Sequence, residues 1–218
     1  KVVEGSTRLW TANPSQSINY LASHDDMTLI DEISENSNHD GRNPTLNDLK
    51  RSRLAALILF TSQGVPMITQ GQEFLYSREG IHNGYNAGDS KNSVKWNRKD
   101  EFSDLCTYYR NLIQFRKSTR GEAFRKTSAL PAGSFRWING NHSLSTGYIF
   151  QDSDGTQFLS LYNFDGTKPA IFDVSELTGE WTQLGDEKSF VADGIKKEEI
   201  SKTGTLIVQP LSGFFYEK

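Results

Sequence analysis

Apolar positions along the chain change period once, near residue 122, and each half predicts its own kind of structure. In the first half a short run of Ile18, Tyr20, Leu21 and Ala22 reads as a buried strand over about 18–23, and it stops at Ser23, His24, Asp25 and Asp26. From Leu46 to Ser62, apolar residues at Leu46, Leu49, Leu54, Leu57, Ile58 and Phe60 fall near one helical face, with Thr45 and Asp48 as an N-terminal cap pair. Gly64 ends that helix, and Val65 to Thr69 reads as a short strand with Pro66 near its start, where proline is tolerated. A polar, glycine-rich stretch from Gly71 to Lys95 follows, too long for a simple connector. A second helix is predicted over about Phe102 to Lys117.

After Phe124 the period becomes 2. Strands are predicted at Ser134–Ile138, Gly147–Gln151, Gln157–Asn163, Lys168–Asp173, Glu180–Leu184, Thr205–Gln209 and Gly213–Glu217. Turn pairs such as Asn139-Gly140, Asp154-Gly155 and Asp165-Gly166 separate them, which points to an antiparallel sandwich. The expected domains are therefore 1–121, strand–helix–strand–helix, and 122–218, all β. A strand–helix–strand–helix unit leaves its sheet edges open and its faces half covered. It is expected to be the last quarter of a (β/α)8 TIM barrel, an α/β unit whose other strands precede Lys1.

Composition narrows the function classes. A net charge of −3 with no basic run argues against a nucleic-acid partner. No stretch nears the roughly 20 apolar residues of a membrane span. The single cysteine, Cys106, excludes an internal disulfide and reads as a small core residue. Neither a cofactor motif nor a metal-ligand spacing is present, so no cofactor and no metal are expected. His39-Asp40-Gly41 reads as a surface loop, and Asp152-Ser153-Asp154-Gly155 as a hairpin turn rather than a calcium loop. Aromatics at 11% suit β-structure and surfaces that face sugars. The chain opens without methionine or a signal-peptide pattern and is expected to be a piece of a longer protein.

The candidate chemistry begins with His24, Asp25 and Asp26. Strand C-termini are where α/β barrels collect catalytic groups. A His-Asp pair also closes turns and caps helices, so the local sequence leaves both readings open.

Taken together, the motifs INYLASHDDMTLIDEI, SQGVPMITQGQEF, NGYNAGDSKNSVKW and YYRNLIQFRKSTRGEAFR, in that order, resemble glycoside hydrolase family 13, the α-amylase superfamily, and within it the pullulanase-type debranching enzymes. The C-terminal stretch TLIVQPLSGFFYEK resembles the β domain of the same family. The resemblance implies that 19–26 is barrel strand seven with its loop and that 65–73 is strand eight. It implies a retaining hydrolase of α-1,6 bonds in pullulan, glycogen or starch dextrins, with an α-glucan as partner. Asp25 would be the carboxylate that stabilises the transition state, and His24 would bond to sugar hydroxyls. Hydrogen bonds that strengthen as the ring flattens toward an oxocarbenium ion lower the barrier. Asp26, Asn83, Tyr85, Asn86 and Asp89 are implied substrate contacts. Asp26 departs from the family's usual Asn, which swaps an amide donor for a second carboxylate beside Asp25. Trp96 is expected to pack on the barrel, and Glu73 to be structural.

The family's nucleophile and acid/base lie at barrel strands four and five, which these residues do not include. This chain alone is thus expected to be inactive, completed by an upstream barrel portion or by a second copy that covers its open strand edges. Three alternatives stay open: a non-catalytic carbohydrate-binding or structural piece, an isoamylase-like hydrolase, and a branching enzyme.

Overall fold

The computed structural model describes residues 2–7 and 9–218. Its main layer is a six-stranded antiparallel sheet made of β3 (Phe135–Asn139), β4 (Ser145–Gln151), β5 (Gln157–Asn163), β7 (Gly179–Gly185), β8 (Lys196–Ile200) and β10 (Ser212–Glu217). They lie side by side in the order β3-β4-β5-β10-β7-β8. A second layer is the antiparallel pair β6 (Ala170–Asp173) and β9 (Thr205–Val208), in register from Ala170–Val208 to Asp173–Thr205.

Strand alternation splits the central sheet between two cores. On β5, Leu159 and Leu161 face Phe172, Val174, Leu206 and Val208 of the second layer. Phe158 and Tyr162 face the other way, toward α2 (Leu46–Phe60) and α4 (Ser103–Lys117). Six residues of β5 are buried in a row, because both faces are covered and neither needs a polar stripe. The helix side is an aromatic cluster: Phe158 stacks on Phe215 at 5.7 Å, and Phe124 meets Phe158 edge-on at 4.9 Å. This single core draws residues from both sides of position 121, from Leu57 and Leu112 to Phe150 and Phe215.

Asp48 and Thr45 exchange the bonds of a capping box at the start of α2, Asp48 N–H to Thr45 Oγ1 at 3.2 Å and Thr45 N–H to Asp48 Oδ2 at 2.9 Å. Beyond the end of α2, the buried Arg116 donates to the carbonyls of Phe60 (2.7 Å), Ser62 (2.8 Å), Phe124 (2.8 Å) and Gly64. Its charge meets carbonyl dipoles instead of an anion, and burial pulls its pKa down to about 10.

In the first half, β1 (Ile18–Asn19) pairs in parallel with β2 (Val65–Pro66), Ile18 opposite Val65 and Asn19 opposite Pro66. Both strands are shorter than the apolar runs predict, and the first is not buried as expected: Ile18 is 62% exposed and Tyr20 55%. Among the described residues each has one neighbouring strand, and Pro66 offers no N–H to a ladder. No closed barrel is present among the described residues. Short and charged elements escape the periodicity. Helix α1 (Leu29–Ile33) is too short to show a period, and β8, sequence KKEEI, is a charged edge strand lacking the apolar alternation of a half-buried one. Cys106 is buried, and burial pushes its thiol pKa up, as suits a core residue.

Candidate active site

Parallel pairing puts the C-terminal ends of β1 and β2 on the same side, so segments more than forty residues apart become neighbours. The hydroxyl of Thr69 donates to the carbonyl of Ala22 at 2.9 Å and ties the two strand ends together. A groove of about 440 Å³ opens there. Ser23, His24 and Thr28 line it from the loop after β1, Met67 to Gln70 from the end of β2, and Tyr76, Arg78, Asn92 and Val94 from the long loop beyond.

His24 stands at the rim with its side chain 92% exposed, and its Nε2 lies 3.5 Å from Oδ1 of Asp25, itself 77% exposed. The adjacent residue turns the chain back, with Asp26 in the left-handed region at φ 55°. Its carboxylate lies 3.7 Å from His82 Nδ1, so it faces the long loop and not Asp25's partner. Both side chains of the pair are therefore open to solvent; His24 lines the groove, while Asp25 and Asp26 stand outside its lining.

Residues 71–96 are held by polar ties more than by regular structure. Tyr76 donates its hydroxyl to the carbonyls of Lys91 and Asn92 at 3.0 and 2.9 Å, and burial raises its pKa. Glu79 receives Lys91 and lies 3.4 Å from Arg42. Arg98 donates to the carbonyls of Gly41 and Arg42, each at 2.8 Å, and burial pulls its pKa down. At the centre Asp31 is fully buried. It accepts from Thr28 Oγ1 (2.8 Å), Gly41 N–H (2.8 Å), Ser77 Oγ (2.5 Å) and Arg78 N–H (2.8 Å). Buried carboxylates persist where donors saturate them.

The four loop residues implied by the family resemblance lie outside the lining of this groove. Asn83, Tyr85, Asn86 and Asp89 are all exposed, Tyr85 to 83%, and none lines it. They form a flank beyond Arg78, where Asp89 begins a short helix, α3 (Asp89–Asn92). Gly84 lets this flank approach: a Cβ there would sit 3.0 Å from Arg78 Nη1 and 2.8 Å from Asn92 Oδ1. Trp96 packs its ring on Phe74 at 5.6 Å but stays 58% exposed. One carboxylate oxygen of Glu73 is buried without a hydrogen-bond partner. Among the described residues no cluster of three or more His, Cys, Asp or Glu is arranged to hold a metal ion.

Sequence reasoning missed Asp31, Arg78, Thr69 and Tyr76. For Asp31 a local signal existed, since Thr28-x-x-Asp31 has the spacing of a cap, and Thr28 Oγ1 does accept from Asp31 N–H. Arg78 had none.

No family model matches the chain. A pullulanase of Bacillus subtilis (strain 168) is 43% identical over 119 residues, which is 53% of this chain and 16% of the relative. Isoamylase 1, chloroplastic, of Oryza sativa subsp. japonica is 31% identical over 142 residues, 52% of this chain and 18% of the relative. The chain thus spans less than a fifth of the length of these curated relatives. Among solved structures, a pullulanase from Bacillus acidopullulyticus superposes with a TM-score of 0.82 at 29% identity, covering 98% of this chain and 25% of that one. The pullulanase type I of Bacillus subtilis str. 168 complexed with maltose gives 0.77 at 26% identity, covering 99% and 30%. The sequence resemblance and these likenesses agree: the chain is a homologue of part of the pullulanases and isoamylases, debranching enzymes of glycoside hydrolase family 13.

Proposed function

We propose that a protein carrying this chain is a retaining, pullulanase-like hydrolase of α-1,6 bonds in α-glucans, and that this chain supplies the groove's transition-state stabiliser. In this reading β1 and β2 are the seventh and eighth strands of a (β/α)8 barrel within 1–121, and 122–218 is a β-sandwich domain that shares the aromatic core with it. The observation that carries it is an exposed His24–Asp25 pair whose His24 lines the groove, in a chain 43% identical to a pullulanase over 119 residues.

The roles follow from the chemistry. A glycosyl cation-like ring spreads positive charge over its anomeric carbon and ring oxygen. Asp25, an acceptor only, gains most from hydroxyls that become better donors as that charge develops. His24 offers a donor to a neighbouring hydroxyl and faces Asp25 at 3.5 Å, which orients its ring. Asp26, Asn83, Tyr85, Asn86 and Asp89 contact glucose units further along the chain, Tyr85 as a flat apolar platform. The nucleophile and the acid/base, about 5–5.5 Å apart in retaining enzymes, come from residues outside these 218, so the chain alone hydrolyses nothing. The maltose-bound pullulanase among the structural neighbours supports an α-glucan partner. The isoamylase relatives favour the same bond type, and relative rates on pullulan and glycogen decide between the two specificities.

Reducing-sugar release from pullulan by the complete gene product tests this reading. Asp25→Asn is expected to lower the rate by roughly 10²–10³, as for loss of one transition-state contact. Equal rates for the two proteins would remove Asp25 from the reaction.

A further inference from the structure

The loop that carries His24 and Asp25 does little to hold itself. The tie made by its own side chains is a 3.4 Å bond from Asp25 N–H to Ser23 Oγ, and its bend passes through the left-handed Asp26. Its carbonyls are gripped from the long loop. Arg78 Nη1 donates to the carbonyl of His24 at 3.4 Å, and Arg78 Nη2 donates to the carbonyl of Asp26. Arg78 is 9% exposed, so water competes poorly for these bonds. Its own backbone N–H is fixed on Asp31, which also holds Thr28 at the far end of the same loop. One buried carboxylate therefore anchors both the loop's exit and the arginine that spans its middle.

We propose that Arg78 is a positioning residue: its forked guanidinium holds the carbonyls on either side of Asp25 and fixes the direction in which Asp25 projects beside His24 at the groove. The fork matters because two carbonyls separated by one residue need two divergent donors on a planar group. Lysine has the charge without the fork. The catalytic consequence rests on the role proposed for Asp25, because misplacing a reacting group by about 1 Å can lower a rate about 10²-fold.

The test is a double-mutant cycle in the complete gene product, with pullulan as substrate. Arg78→Met is expected to lower kcat by about 10–100-fold, with KM changed less. In an Asp25→Asn background the same substitution is expected to change kcat by less than about twofold, because its effect runs through Asp25. Equal losses in both backgrounds would show that Arg78 acts elsewhere and overturn the proposal. Arg78→Lys should recover part of the rate and not all of it; full recovery would sink the role of the fork. If Arg78→Met does not fold, Arg78→Gln, a single shorter donor, takes its place with the same expectations. A crystal structure of the variant separates the two claims. A displaced loop over 23–27 beside a fully active Asp25→Asn enzyme upholds the clamp and overturns the debranching assignment. An unmoved loop overturns the clamp.

Discussion

The groove rim and the central sheet are held by opposite means. The sheet buries both faces, and its helix side is filled by stacked phenylalanines and fully buried tyrosines. At the groove the chain leaves His24 and Asp25 in water, and in the segment before them Ile18 and Tyr20. Order there comes from one buried carboxylate with four donors and from an arginine that grips carbonyls. Non-directional burial tolerates small shifts, while a hydrogen-bonded clamp fixes direction to within tenths of an ångström.

Four expected outcomes break or sharpen this contrast. The largest is alkaline unfolding. Burial raises the pKa of Tyr108, Tyr109, Tyr148 and Tyr162 above the ordinary 10.0. Above pH 10 the unfolded chain releases these protons while the folded one keeps them, so stability falls as pH rises. Each tyrosine contributes about 1.4 kcal/mol of loss per pH unit. Arg116 works the other way: with a folded pKa of about 10, it favours the folded form as pH rises from there toward 12.5. Four phenols outweigh one guanidinium, and urea midpoints at pH 9 and 11 should differ sharply. Equal midpoints would mean that the tyrosines ionise in place.

Next in size, Phe158→Ala removes the ring that stacks on Phe215 and should cost about 3–5 kcal/mol in urea unfolding. At temperatures where the variant stays folded, KM for pullulan should not move; a large change would mean that core and groove are coupled. Asp31→Ala strands four donors at the groove, two of them backbone N–H groups, and should cost about 2–4 kcal/mol. Unlike the core variant, it should also lower kcat, because Arg78 loses its anchor. The smallest effect belongs to Tyr85→Ala, which at 83% exposure should change stability by less than about 0.5 kcal/mol. A few-fold rise in KM for a branched dextrin would assign the ring to a glucose unit, and no rise would remove it from the substrate path.

Much of the fold was legible because its causes are local. Strand β5 was read residue for residue, since Gln157–Asn163 is an apolar run between two Asp-Gly turns. The capping box at Thr45 and Asp48 was legible for the same reason. Strand β8 was not, because Lys196 to Glu199 alternates nothing and gains its place only by pairing with β7. At the groove, the place of His24 beyond the end of β1 was legible from a strand that stops at charge. The loop flank was placed with it by resemblance, yet the groove is walled instead by Tyr76, Arg78 and Asn92.

The amino-acid order by itself determined the two helices, most of the strands and their turns, and the exposed pair at the end of β1, because periodicity, caps and turn residues act over a few positions. Only the tertiary structure decided which segments meet. Asp31 gathers donors from residues up to 47 positions away, and Arg78 reaches carbonyls 52 and 54 positions back. Contacts of that span leave no periodic trace, since they depend on a parallel strand pair that brings two distant loops to one rim.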